Sequence, residues 1–224
     1  MDSLYTRRSL LVVGCALPLL ALPGCSTLGG FSFEDAIRRI LTLSSQRAFA
    51  RLLNDNGFFA DELARIPLPP QFSGATGVVS ALLRTGPVQD QLLRLMNRAA
   101  ADAAEAAAPV VYDSIRSMSI PDAVALVRGG PTAATDDLQR IMGNAIVDVM
   151  FPGVGNALRL FDDGILNRVV QAATGIDFAG LQRHVTQSAA NGIYRAIGRE
   201  EAAIRANPRE TGDPVLIGVF GVLG

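Results

Sequence analysis

The sequence has no lysine and no tryptophan, one histidine (His184), and two cysteines, Cys15 and Cys25, both near the start of its 224 residues. Each scarcity removes a class of chemistry. Without lysine no Schiff base can form, and beyond residue 25 no thiol remains to act as a nucleophile. The same stretch holds no disulfide, so the fold must rest on its own core. A triad or a zinc site built on His184 would need convergent partners. Its neighbours are Arg183, Val185 and Thr186, and it reads as an ordinary surface or interface side chain. Long runs of one charge are also missing. The 20 arginines stand against 21 acids, no basic face is visible, and nucleic acid is not an expected partner. No metal site, cofactor or catalytic constellation stands out.

What is present begins at the N-terminus. Residues 2–8 are polar and end in Arg7-Arg8, and an apolar run from Leu10 to Leu22 leads into Pro23-Gly24-Cys25. An apolar core of about 10–14 residues is typical of a signal peptide, whereas a membrane-spanning helix needs about 20. Pro18 and Pro23 would each disturb a helix interior. The expectation is a secretory signal peptide. Leu22-Pro23-Gly24-Cys25 resembles the lipobox of bacterial lipoproteins. That resemblance implies diacylglycerol on the Cys25 sulfur, cleavage after Gly24 and a further acyl chain such as palmitate on the new amino group. It also makes Ser26 the second residue of the mature chain, in place of the aspartate linked to inner-membrane retention. The expected location is therefore the cell envelope, facing the periplasm at the outer membrane, with the membrane itself a partner through the lipid. Thr6-Arg7-Arg8-Ser9-Leu10-Leu11 is similar to a twin-arginine signal, with general secretory export as the alternative.

The expected organisation is a signal peptide over 1–24, a lipidated cysteine and short tether over 25–30, and one helical domain over 31–224. The tether reaches roughly 17 Å when fully extended. Loss of the leader removes two arginines and one acid, leaving a net charge of −2.

From Phe33 to Leu52 apolar residues recur at helical spacing, with Ser32 as N-cap and Glu34 and Asp35 in the first turn. Phe58 to Arg65 reads as two more helical turns, ended by Pro67-Leu-Pro-Pro70. Ser80 to Arg84 reads as another short helix. Pro87 opens the longest helical stretch, to about Met118, whose alanine-rich centre offers a small-residue surface for another helix; Pro109 predicts a kink or break. Ser119 reads as an N-cap with Asp122 inside the following helix. A helix from Pro131 carries the pattern through Val149, and Pro152-Gly-Val-Gly155 reads as a turn. Asp162-Asp-Gly164 reads as a turn and Ile165 to Ala173 as a helix. A long helix runs from about Asp177 to Asn207, and the apolar tail from Val215 is expected to pack on the body as a strand or helical turn. With no sustained alternation elsewhere, the fold class is all-α, a single multi-helix domain.

Several stretches resemble the bacterial domain-of-unknown-function family 4197. They are Asn56-Gly-Phe-Phe59, Met96 to Ala104, Ile115 to Ala123, Gly130-Pro-Thr-Ala-Ala-Thr135, Phe151-Pro152 and Glu200 to Pro208, with Val219-Phe-Gly221 after them. The resemblance covers the mature chain and implies an exported, often lipidated helical protein with no assigned activity. The chain departs from the pattern at Ala101 and Asp137.

The acidic pairs Asp61-Glu62, Asp136-Asp137, Asp162-Asp163 and Glu200-Glu201 do not make a two-carboxylate hydrolase, because helix neighbours point about 100° apart. Glu201 and Arg205, one helical step apart, are expected to pair in solvent. Gly153-Val-Gly155 lacks the third glycine and the preceding strand of a dinucleotide site. One polar set is worth naming: Asn97, Arg98 and Asp102, with Thr135 and Glu201 as possible partners. It reads as a structural network, with a ligand site as the alternative. Function then divides into a non-enzymatic domain that binds an envelope protein, a carrier enclosing a small apolar ligand or lipid, and a carboxylate-dependent hydrolase.

Overall fold

The computed structural model describes residues 27–28, 31–70, 85–160, 171 and 177–221. The expected signal peptide with Cys25, the helix expected over 80–84, the turn expected over 162–164 and all of the helix expected over 165–173 except Gln171 lie outside the described residues. Among those residues the fold is all-α. Its eight helices are α1 (Phe33–Leu52), α2 (Gly57–Ala60), α3 (Gly86–Ser117), α4 (Ala123–Arg128), α5 (Ala133–Met142), α6 (Ala145–Leu160), α7 (Phe178–Ala206) and α8 (Pro214–Phe220). A 3-10 turn, Pro208–Thr211, links the last two. Ahead of α1, Thr27–Leu28 pairs antiparallel with Phe31–Ser32. Part of the expected tether is thus a small ribbon, and it touches α1 and α8.

Four long helices carry the core. α1 starts where Ser32 Oγ accepts the amide of Glu34 at 3.2 Å. It buries Ile37, Ile40, Leu41, Ala48 and Leu52, the inner stripe of its 3.6-residue repeat. α1 lies along α7, and α3 lies along α6. The second contact is close because it is made of small residues. Ala99, Ala100, Ala103, Ala104 and Ala107 are buried, and a Cβ added at Gly153 would sit 3.2 Å from that of Ala103.

The prolines behave differently from the sequence expectation. α3 continues through Pro109 and α6 through Pro152. A proline leaves the carbonyl four residues earlier without its amide partner. Here Pro109 and Glu105 are both exposed, as are Pro152 and Asp148, so water can satisfy the free carbonyls. Pro152-Gly-Val-Gly155 is therefore a packing surface rather than a turn. A Cβ at Gly155 would lie 2.5 Å from the Gln182 amide nitrogen, which instead donates to Phe151 O at 2.7 Å.

Three other boundaries move. The helix expected from Pro131 through Val149 divides at Gly143, which adopts φ +53°, a conformation open to glycine at little cost. Asp122 is the N-cap of α4 rather than an interior residue, accepting the amide of Ala125 at 3.0 Å. The expected two turns over 58–65 shrink to α2, because Asp61 Oδ1 accepts the amides of Leu63 and Ala64 at 3.0 and 3.2 Å and makes a tight turn. The apolar tail forms α8, with Val215, Leu216, Val219 and Phe220 buried.

Candidate functional site

Glu201, near the end of α7, has no solvent exposure. A buried carboxylate needs donors, and it accepts four hydrogen bonds. Its Oε1 accepts the Ala134 amide at 3.0 Å and Arg205 Nε at 2.8 Å. Its Oε2 accepts the Thr135 amide at 2.7 Å and the Thr135 hydroxyl at 2.6 Å. Those two amides belong to the first turn of α5, where backbone N–H groups have no intrahelical partner. The residue in the N-cap position, Thr132, turns its hydroxyl to Asp136 instead. Glu201 thus caps α5 from a distant part of the chain, at the end of the helix dipole that favours negative charge. Gly198 makes room, since a Cβ there would sit 3.1 Å from the Thr132 methyl.

Arg205 completes the arrangement one turn later. Besides Glu201, its guanidinium donates to Val127 O and Leu126 O, each at 3.0 Å. These are carbonyls from the last turn of α4. The same guanidinium lies 4.7 Å from the centre of the Phe220 ring in α8. One ion pair on α7 therefore holds the end of α4, the start of α5 and the face of α8. The side chains are 0% and 10% exposed, so the expected solvent pair is an interior one. The reason is the neighbourhood: α4, α5 and α8 all close over this turn of α7.

Asn97 has other partners. On α3, it accepts the Ile66 amide at 2.8 Å and donates to Ile66 O at 3.2 Å and Leu93 O at 2.7 Å. The side chain imitates a strand partner for Ile66 and fixes the crossover segment 54–70 to α3. α7 holds the same segment from the other side. Arg199 grips Asp61 through two bonds of 2.9 and 2.7 Å, and Arg195 Nε donates to Leu63 O at 2.6 Å. His184 Nε2 lies 2.9 Å from Pro67 O, so that nitrogen must carry the proton. Ala64 lies so near Gly192 that a Cβ there would come within 2.9 Å of its carbonyl oxygen.

The structure thus brings Thr135 and Glu201 together and places Asn97 in a separate arrangement. Arg98 and Asp102 are exposed on α3. The expected single polar set divides, because the outer face of α3 that carries Arg98 and Asp102 is not the face that holds Asn97. Sequence reasoning passed over Arg199, the pairing of Asp61 with it and the interior role of Arg205. Asp61-Glu-Leu-Ala64 did carry a signal, an aspartate placed to accept amides two and three residues on. Nothing local distinguishes Arg199 and Arg205 from the other arginines.

Chemically, Glu201 and Asp61 are saturated acceptors. A general acid or base must reach a reacting group with a free site, and all oxygens here face donors from their own chain. Arg199 beside Asp61 is the main cause holding that carboxyl below the usual carboxylate range, with the Ala64 and Leu63 amides adding to it. Among the described residues no three His, Cys, Asp or Glu side chains are grouped to hold a metal. Buried hydroxyls without a partner occur elsewhere, at Ser44, Ser45 and Tyr194. Burial pushes the Tyr194 phenol up to about 12.

Fold and bonding together define an all-α domain whose buried charges join helix ends. The chain belongs to the family described as Protein of unknown function (DUF4197), whose model matches residues 27–221. No curated protein and no solved structure matches it.

Two outcomes follow for stability. Arg205→Ala leaves the Glu201 charge buried without its cation and should cost about 3–5 kcal/mol. Replacing the pair together, Glu201→Leu with Arg205→Met, should cost less than Arg205→Ala alone. Urea unfolding of the two variants checks this, and equal losses would contradict it. The second outcome concerns pH. A carboxyl with a depressed folded pKa stabilises fully above its unfolded value, about 3.9, and loses that contribution as pH falls through the folded value. Asp61→Asn keeps an acceptor for the Leu63 and Ala64 amides but removes the charge facing Arg199. It should cost about 1–3 kcal/mol at neutral pH, and the gap from the parent protein should close on acidification below about pH 4. Melting curves across pH measure the gap.

Proposed function

We propose that this protein is an envelope lipoprotein, held to the outer membrane by lipid on Cys25, and that its helical domain is a non-enzymatic interaction domain for an envelope partner. The carrying observation is the short span between Cys25 and the ribbon. The ribbon begins at Thr27, so Ser26 alone separates it from the cysteine at the end of the lipobox-like run. The ribbon leads directly into α1 and touches α8. An anchor at Cys25 would keep the N-terminal end of α1 against the bilayer. The family match starts at residue 27, which fits a leader ending just before the domain.

Support for an interaction domain comes from the interior. The carboxylates at Asp61 and Glu201 are engaged in joining helices, which leaves recognition to the surface. Each buried methylene adds about 0.8 kcal/mol to membrane affinity, and one chain alone anchors only marginally. Two or three chains on one residue give durable attachment. Cys25→Ser should abolish palmitate labelling and move the protein from the membrane fraction to the soluble one. Retention in membranes without label would sink the lipoprotein reading in favour of an uncleaved apolar helix.

A further inference from the structure

We propose that Phe59, Arg65 and Arg94 form a clip that docks an acidic segment of a protein partner, taking a pair of neighbouring carboxylates between the two guanidiniums. This rests on the interaction-domain reading and adds to it the place and the chemistry of the contact. Arg65 lies 4.7 Å and Arg94 4.6 Å from the centre of the one Phe59 ring. The two cations are therefore no more than about 9 Å apart. Both arginines are exposed and Phe59 is half-buried. Seven other arginines pair with carboxylates. Among the described residues Arg65 and Arg94 have no such pair. Arg65 donates Nε to Phe59 O at 2.5 Å, which leaves the terminal nitrogens of both forks available.

Two like charges fixed this close repel, and an anion between them offsets that cost. A separation within that bound admits an extended chain, in which side chains two residues apart lie on one side about 7 Å from each other. Rigidity lowers the ordering cost of binding. Phe58, beside Phe59, is fully buried, and Ile66, beside Arg65, is fixed by Asn97. Leu63, two residues before Arg65, is 42% exposed and supplies an apolar contact. Arginine and aromatic side chains with apolar neighbours are the composition of binding hot spots. α1 places its 20 residues, about 30 Å, between the lipid-proximal ribbon and the segment that carries the clip. That exceeds the screening length of about 8–10 Å, so the phosphates of the anchoring bilayer are a poorer match than a protein approaching from the periplasm.

The test uses the full lipidated protein in zwitterionic micelles, titrated at physiological ionic strength with a fluorescent peptide of alternating Glu and Ser. A Gln-Ser peptide and phosphatidylglycerol vesicles run alongside. Saturable binding of the acidic peptide is expected. It should weaken about tenfold or more in Arg94→Gln, which removes the guanidinium that lies over the ring, and in Arg65→Gln/Arg94→Gln. It should stay within about twofold in Arg128→Gln/Arg209→Gln, which removes the same charge elsewhere. Absent binding, equal loss in the control pair, or preference for the vesicles would overturn the clip. In parallel, a photo-crosslinking residue is placed at Leu63 and, separately, at Ile141 in living cells. An adduct from position 63 that disappears in Arg94→Gln supports the clip. Adducts from 141 alone overturn the clip and leave the interaction reading standing, while none from either position overturns both.

Discussion

A carboxylate with no exposure sits at the meeting of four helices, and its neutralisation decides how they meet. Glu201 supplies the cap that α5 lacks, and Arg205 returns the charge to balance while closing the end of α4 and lying on Phe220. Taking two ions out of water costs several kcal/mol each, and their attraction recovers this only when every lone pair and proton has a partner. Here the partners are helix termini, which are themselves short of partners. Three deficits (an unpaired acid, an uncapped N-terminus and an uncapped C-terminus) cancel at one place. The arrangement also gives direction: an apolar core tolerates small rotations of one helix on another, whereas two amides aimed at one carboxylate do not.

The second consequence is the division of the domain into two poles. α1 runs between the ribbon that follows Cys25 and the segment 54–70. At the first pole stand the ribbon, α8 and the Arg39–Asp213 bridge at 3.0 Å. At the second, Asn97, Arg195, Arg199 and His184 bind an irregular segment by its backbone or by Asp61. Backbone groups of irregular structure need partners when buried, and side chains from α3 and α7 provide them. A segment secured in this way can present Phe59, Arg65 and Leu63 in fixed positions without a sheet or a long helix of its own.

Much of the fold was legible because it depends on local chemistry. The cap at Ser32, the 3.6-residue stripe of α1, the start of α3 near Pro87 and the start of α7 near Asp177 follow from a few neighbouring residues each. Expectation and structure part where a distant element decides. Pro109 and Pro152 stay helical where Glu105 and Asp148, whose carbonyls lose their amide partners, are exposed. Asn97 was legible as a member of a structural polar set, but Ile66, its partner 31 residues away, was not. Glu201 and Arg205 show the same limit. Their spacing is that of an exposed helix pair, and only the closure of α4, α5 and α8 over them makes them interior. Asp61 was read as half of an acidic doublet because Arg199 lies 138 residues away.

Glu201, rather than a local cap, holds the start of α5. Amide hydrogen exchange of the native protein reads this at two positions. First-turn amides of a helix ordinarily fray and exchange through local opening. If the carboxylate holds them, the amides of Ala134 and Thr135 should exchange only through global unfolding, as slowly as the core of α7. Exchange at those two positions orders of magnitude faster than in α7 would contradict the account.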